Sequence, residues 1–427
     1  MVISEAHQAR DIGADPASMT LPLEGLRVLD LSRVLAGPLV TQMLGDLGAD
    51  VIKIEKPGEG DDSRGYGPPF LTTEDGKRTN ESGFFLSANR NKQSVTVDLG
   101  TAQGQDIVRR LAQRSDIVVE NFRVGALAKF GLDYASLSAL NPRLIYLSIT
   151  GYGQTGKMAH RPGYDAIFQA AGGHMAVTGA PDGLPGGGPT RSGLSIVDIL
   201  TSQYATVAIL AALHHRDRTP EGKGQYIDLA LLDSMVATLS HRGVQYLISG
   251  RSSPRRGNVG GGGSPSQVFM GTDGQIMLTV GNDLQWARFC TAIGELELAA
   301  DPRFATATKR IENRDELMPS VEAKFKTQSK AYWLEALDRA DIPSGPVNEL
   351  EEVFADSQVR ERGMTVSVPH PLSEALTLIA NPIRFSETPL NRYEPPPMLG
   401  EHTESVLRDV LGITAEDILT LRKAKAI

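Results

Sequence analysis

The chain has 427 residues, enough for two or three domains with a sizeable core, and its 41% hydrophobic and 22% charged composition is that of an ordinary globular protein. A net charge of −8 excludes a general nucleic-acid binder, so any anionic ligand has to meet a local basic pocket. The single cysteine, Cys290, excludes internal disulfides and cysteine-rich metal sites and suits a reducing cytosol.

Residues 1–20 mix Glu5, Arg10, Asp11 and Asp15 with small polar residues and read as a frayed tail rather than a signal peptide. No uncharged apolar run reaches the roughly 18 residues needed to span a bilayer, so a cytoplasmic location is expected. Val28-Leu29-Asp30-Leu31 and Val51-Ile52-Lys53-Ile54-Glu55 read as buried strands. Between them Val40, Met43, Leu44 and Leu47 recur at helical spacing, with Pro38 in the first turn and Gly48 at the end. A strand, helix and strand this compact imply a parallel sheet, whose ligands gather where strands run into helix N-termini. The turn Ser32 to Pro38 carries neither the dinucleotide nor the P-loop glycine pattern.

The alternation continues with strands predicted at 94–99, 116–122 and 144–149, an amphipathic helix around Ile107, Val108 and Leu111, and a short helix through Ala126 and Phe130. From Gly151 to Gly193 the pattern dissolves into Gly, Pro and Thr, and a segment this long without clear periodicity is more often functional than idle. An Ala-rich apolar helix follows over 196–214, then a strand over 225–229 and a helix through Met235 and Leu239. A basic, glycine-rich loop over 251–266 leads to a smaller α/β unit with a strand at 275–280 and helices near 284–293, 314–325 and 332–340. Trp286, Phe289, Cys290 and Ile293 share one helical face, which makes Cys290 a packed thiol rather than a nucleophile. The expected organisation is a tail at 1–20, a large domain over 21–225, a linker at 226–250, a small domain at 251–340, a linker at 341–370 and a return segment at 371–427 that completes the large domain.

Asp198 stands in Ser195-Ile196-Val197-Asp198-Ile199-Leu200, almost wholly apolar, and suits two roles: a helix N-cap, or a carboxylate in a desolvated site that acts as nucleophile or base. Gly260 to Gly263 suits a flexible joint, a lid, or a loop whose N–H groups approach a ligand closely. Lys53, Lys56, Lys92, Arg123 and Lys129 fall near strand ends, where several cations around one crevice would suit phosphates. The eight histidines show no metal-ligand spacing, and no metal is expected.

In order and spacing, these pieces resemble the class III (formyl-CoA-transferase-like) CoA-transferase family, which also contains α-methylacyl-CoA racemases. The resemblance runs from Leu23 to the C-terminus. It is carried by Leu26 to Leu31 with Ala36-Gly37-Pro38, Gly48 to Glu55, Glu120-Asn121-Phe122, Arg161-Pro162-Gly163-Tyr164-Asp165, Gly222-Lys223-Gly224-Gln225, Gly260 to Gly263, and Leu399-Gly400-Glu401-His402-Thr403. It implies a Rossmann-like large domain with a parallel sheet, a smaller α/β domain, and an interlocked homodimer. It also implies that Asp198 is the catalytic aspartate, passing through an aspartyl anhydride and an aspartyl-CoA thioester. By position it maps the CoA contacts onto Val34, Leu35, Ala36, Lys56, Asn121, Phe122 and Lys129, and the protective lid onto the tetraglycine loop with Gly261 and Gly262. No tightly bound cofactor is implied; acyl-CoA and a small carboxylic acid are the substrates, with neither nucleic acid nor membrane as partner.

The racemase branch carries His where this chain has Tyr164, and a phenol with a reference pKa of about 10 is a poor base near neutral pH. Tyr164 can still donate a hydrogen bond to a substrate or intermediate, so transfer is favoured, with the racemase as runner-up and a non-catalytic CoA-binding protein behind it. Leu35 stands where the oxalate-using enzymes carry a polar amide, which points to a longer dicarboxylate. Gly100 replaces a CoA-contacting Lys of that branch.

Overall fold

The computed structural model describes residues 20–73 and 75–427, so the tail expected over 1–20 lies outside the described residues except for Thr20. It forms two compact units. One takes the chain up to Gly172, Ser192–Ser240 and Gly363–Ile427; the other takes Gly173–Arg191 and His241–Arg362.

The first unit is built on six parallel strands: β1 Arg27–Asp30, β2 Asp50–Glu55, β3 Lys92–Thr96, β4 Ile117–Glu120, β5 Ile145–Thr150 and β6 Tyr226–Ala230. Their spatial order is β3-β2-β1-β4-β5-β6. In that order the connections diverge between β1 and β4, which opens a crevice at the carboxyl ends of these two strands. Val28 lies opposite Val51 on one side and Ile117 on the other. Both faces of the sheet are covered, so its central strands are buried at nearly every residue rather than at alternate ones. Val28, Val119 and Leu147 pack into one core with helix α1 (Ala36–Asp46); Leu29, Val118 and Val95 pack into another with helix α2 (Ala102–Ala112) and Leu407.

Helix α3 (Ile196–Arg218) buries Val197, Ala205, Ile209 and Ala212 in the core of the α1 face. It has the length and apolarity to cross a membrane, with a mean hydropathy of 1.7 over 18 residues, but Asp198 and Arg216 interrupt its apolar run near each end. Tyr204, Val207 and Leu210 on this helix stay exposed.

Some sequence expectations need correction. The segment 226–250 is not a linker: it begins as β6, paired with β5 through Tyr226 and Tyr146, and continues as helices Leu231–Thr238 and Ser240–Ser249. The segment 341–370 likewise holds a strand, two short helices and the whole of the strand Thr365–His370, which pairs with Ser373–Ile379. That hairpin, and a second one of Phe70–Thr72 with Arg78–Ser82, leave no clear sequence signal because their half-exposed strands lack a continuous apolar run. The Leu399 to Thr403 segment lies on the edge of β3: His402 N–H donates to Ser94 O (2.9 Å) and Thr96 N–H to Thr403 Oγ1 (3.0 Å). It covers backbone groups that an open sheet edge would leave unpaired.

The second unit holds a three-stranded antiparallel sheet of β7 (Ser266–Met270), β8 (Gln275–Thr279) and β9 (Ser344–Pro346), with β8 in the middle. Helices Asp283–Ile293, Arg314–Phe325 and Lys330–Arg339 pack on it through Trp286, Phe289, Phe325 and Trp333. Cys290 is fully buried in this core, and burial pushes its thiol up to about 12, far from a reactive thiolate.

Candidate active site

The turn leaving β1 is held almost entirely by side chains. Ser32 N–H donates to Asp30 Oδ1 (2.9 Å), Arg33 N–H to Asn121 Oδ1 (2.9 Å), and Val34 N–H to Asp61 Oδ1 and Oδ2 (3.1 and 3.3 Å). Asn121 Nδ2 returns a bond to Arg33 O (2.7 Å), and Lys53 Nζ donates to Ser32 O (2.9 Å). Val34 adopts φ +73°, a left-handed conformation that costs a β-branched residue about 1–3 kcal/mol. The helix start packs against this turn so closely that a Cβ on Gly37 would lie 2.3 Å from Ser32 Cβ.

Beneath the turn lies a set of paired charges. Lys53 and Asp61 meet at 2.8 Å and Lys92 and Asp30 at 3.1 Å, with all four side chains fully buried. Glu55 and Glu81 hold Arg64 at 2.8 and 2.9 Å. Burial by itself pushes the Asp61 carboxyl up, but the touching Lys53 ammonium and the Ser63 N–H and hydroxyl outweigh it and hold the group below the ordinary carboxylate range. Lys53 and Lys92 were candidates for phosphate contact; they are spent inside the protein, because a buried ammonium without a carboxylate is too costly to keep.

Above the turn, at the diverging strand ends, lies a cavity of about 260 Å³. It brings together Val34, Leu35, Ala36, Asn121, Phe122, Tyr164, Asp165 and Asp198, and Arg33, Arg123, Arg161 and the imidazole of His160 also line it. A neighbouring cavity of about 200 Å³ shares Arg33, Asp62 and Phe122 with it and adds Lys56. Lys56 reaches Glu59 at 2.7 Å and stays largely exposed. Lys129 borders neither cavity; it sits on the short turn Ala128–Phe130 with Nζ 5.5 Å from the Phe130 ring centre.

Asp198 is the third residue of α3, and the cap it might have supplied comes from elsewhere. Asp165 Oδ1 accepts Val197 N–H (2.7 Å) and Asp198 N–H (3.3 Å), so the start of α3 is satisfied by a residue from another helix. The Asp198 carboxyl has no hydrogen-bond partner among the described residues and borders the cavity. Burial first, and the neighbouring Asp165 charge second, push it up to about 7. A carboxylate poised there is partly ionised at neutral pH and poorly solvated, which is the state of an activated nucleophile. Tyr164, just before Asp165, is 71% exposed, so its phenol is open to a ligand. Arg33, His160 and Arg161 carry no local sequence signal of a site role, although Arg161 opens the Arg-Pro-Gly-Tyr-Asp motif.

Gly261 and Gly262 lie in the second unit on an exposed stretch. The two outer glycines of that loop are required sterically: a Cβ on Gly260 would fall 2.3 Å from Ser266 Oγ, and one on Gly263 2.4 Å from Val280 O. Gly262 has open space and Gly261 faces the Arg256 guanidinium. The loop is therefore pinned at both ends and free at its middle. Among the described residues, no group of three or more His, Cys, Asp or Glu side chains is arranged to hold a metal ion.

Comparison with known proteins joins these features. Residues 23–403 match the model of CoA-transferase family III. The chain is 44% identical over 389 residues to succinate–glutarate CoA-transferase of Agrobacterium fabrum, covering 91% of this chain and 96% of that protein. It is 43% identical over 390 residues to mouse succinyl-CoA:glutarate CoA-transferase, covering 91% and 86%. A crystal structure of a CAIB/BAIF family protein from Brucella suis superposes with a TM-score of 0.84 at 43% identity, covering 92% of this chain and 100% of that one. With the match spanning nearly the whole sequence and the same fold recurring in a solved relative, the chain belongs to CoA-transferase family III.

Proposed function

We propose that this enzyme moves CoA from an acyl-CoA donor to a dicarboxylic acid through covalent intermediates on Asp198. The observation that carries the reading is the Asp198 carboxyl itself: released from capping by Asp165, bordering the cavity at the β1 and β4 ends, and pushed up to about 7. Its carboxylate attacks the donor thioester carbonyl, the C–S bond breaks, and CoA thiolate leaves a mixed anhydride. The thiolate then attacks the aspartyl carbonyl of that anhydride and frees the donor acid as its carboxylate. The acceptor carboxylate attacks the resulting aspartyl-CoA thioester and expels CoA thiolate again. Attack of that thiolate on the acceptor carbonyl forms the product thioester and restores Asp198. Splitting the exchange in this way replaces one difficult step with several easier ones.

In this reading Val34, Leu35, Ala36, Lys56, Asn121, Phe122 and Lys129 hold CoA, and Tyr164 donates a hydrogen bond to the carboxylate or intermediate. Gly261 and Gly262 form the lid that keeps water from the anhydride and thioester, both of which hydrolyse. The relatives named for succinate and glutarate, together with apolar Leu35 and the cavity's three arginines, favour a four- or five-carbon diacid as acceptor. We further propose a homodimer, which would cover the exposed apolar Tyr204, Val207 and Leu210 of α3.

The test is mass spectrometry of the Asp198 peptide after incubation with succinyl-CoA, with a panel of mono- and dicarboxylic acceptors run alongside. A CoA adduct on Asp198, lost in Asp198→Ala together with turnover, is the expected result. Unchanged transfer in Asp198→Ala, or exchange of an acyl-CoA α-proton without any transfer, overturns the proposal.

A further inference from the structure

We infer that Asp61 is a positioning residue for the CoA cradle: it holds Val34 in a left-handed backbone conformation and so sets the turn that presents Val34, Leu35 and Ala36 to the ligand. This rests on reading that turn as CoA-binding. Asp61 itself is 2% exposed, and its oxygens are already committed to Val34 N–H, Ser63 N–H (2.9 Å), the Ser63 hydroxyl (2.7 Å) and Lys53 Nζ (2.8 Å). No acceptor site remains for a ligand, so its influence passes through Val34.

The strain explains why such a clamp exists. Valine at φ +73° returns to an extended or helical conformation unless its N–H is held. The neighbouring points of the turn are pinned independently, at Ser32 by Asp30 and Lys53 and at Arg33 by Asn121. Losing the Asp61 bond therefore releases Val34 and the residues just after it, not the whole loop. Asp62 takes up the next side chain, the Arg33 guanidinium, at 2.9 Å, so two consecutive acids grip two consecutive residues of the cradle.

Asp61→Ala removes both acceptor oxygens, so nothing holds the Val34 N–H. Its expected effect is a tenfold or greater rise in KM for acyl-CoA and in the Kd for CoA measured by titration calorimetry. The kcat should change less than threefold and the KM for the acceptor acid should hold. Adding Val34→Gly, which adopts the left-handed conformation freely, should recover at least half of the loss on a logarithmic scale. Amide hydrogen exchange at Val34 should quicken at least tenfold in Asp61→Ala whether or not CoA is present. An unchanged KM, a loss that Val34→Gly does not relieve, or unaltered exchange at Val34 overturns the inference. So does failure of both the single and the double variant to fold, which would make Asp61 part of the scaffold alone. Failure of the parent protein to bind CoA would instead overturn the reading of the cradle, and the exchange measurement would still judge the clamp.

Discussion

Asp61 and Asp198 are two inward-facing carboxylates of the same unit, each beside a β-strand exit, and they are treated in opposite ways. Asp61 meets a buried ammonium at 2.8 Å, accepts hydrogen bonds from backbone and hydroxyl, and is held below the ordinary carboxylate range. Asp198 has no cation beside it, no hydrogen-bond partner among the described residues, and a second acid, Asp165, at the start of its own helix. Burial raises both; only the first has a counter-charge strong enough to reverse the effect. A carboxylate saturated with donors is fixed and chemically quiet, whereas one mostly buried and unpartnered retains lone pairs for an electrophile. The surroundings set the role, since the two side chains are identical.

Mutations and pH changes can break this contrast. The largest expected effect is on turnover: Asp198→Asn or Asp198→Ala should lower kcat on the order of 10⁴-fold, as removal of a bond-forming group does, while circular dichroism reports an intact fold. Next comes Lys53→Met, which leaves Asp61 buried and unpaired and should lower stability by about 3–5 kcal/mol in urea unfolding.

A third effect has a defined pH window. The Asp198 carboxyl has a reference value of 3.8 and rises to about 7 in the folded protein, so between these values the folded state holds a proton that the unfolded state has lost. Stability from this group is thus fullest below about pH 4 and falls until about pH 7. Asp198→Asn escapes that fall and should be more stable than the parent at pH 8. Each tenfold change in proton affinity corresponds to about 1.4 kcal/mol, and with solvent in the cavity screening the charge a gain of about 1–3 kcal/mol is expected. The same ionisation predicts that kcat rises with pH through about 7, and a flat profile with chemistry rate-limiting would refute it. The smallest effect sharpens the comparison: Asp165→Asn removes the neighbouring charge and should move that midpoint to lower pH, at a loss of about 1 kcal/mol for the weakened cap.

Much of the first unit was legible in the sequence. β1, α1 and β2 could be read because a buried strand is a continuous apolar run and an amphipathic helix repeats every 3.6 residues, both local signals. Asp198 stood out because an acid in an apolar helix start is unusual. Whether it was a cap could not be read, because the residue that does the capping, Asp165, is 33 positions earlier and carries no local mark of that duty. Lys53 and Lys92 looked like surface cations near strand ends; their acid partners lie 8 and 62 residues away along the chain. Asp61 showed no signal at all, since nothing local reveals that it meets the N–H of Val34.

The sequence by itself determined the alternation of strand and helix, the glycine-rich loops, and the chemistry-bearing residue types in their order. Those depend on contacts within a turn or two of each residue. The tertiary structure decided the strand order, and with it the crevice between β1 and β4, and which charges are paired and which is left bare. These depend on partners that only folding brings together, and burial magnifies the energy of each pairing far beyond its value in water.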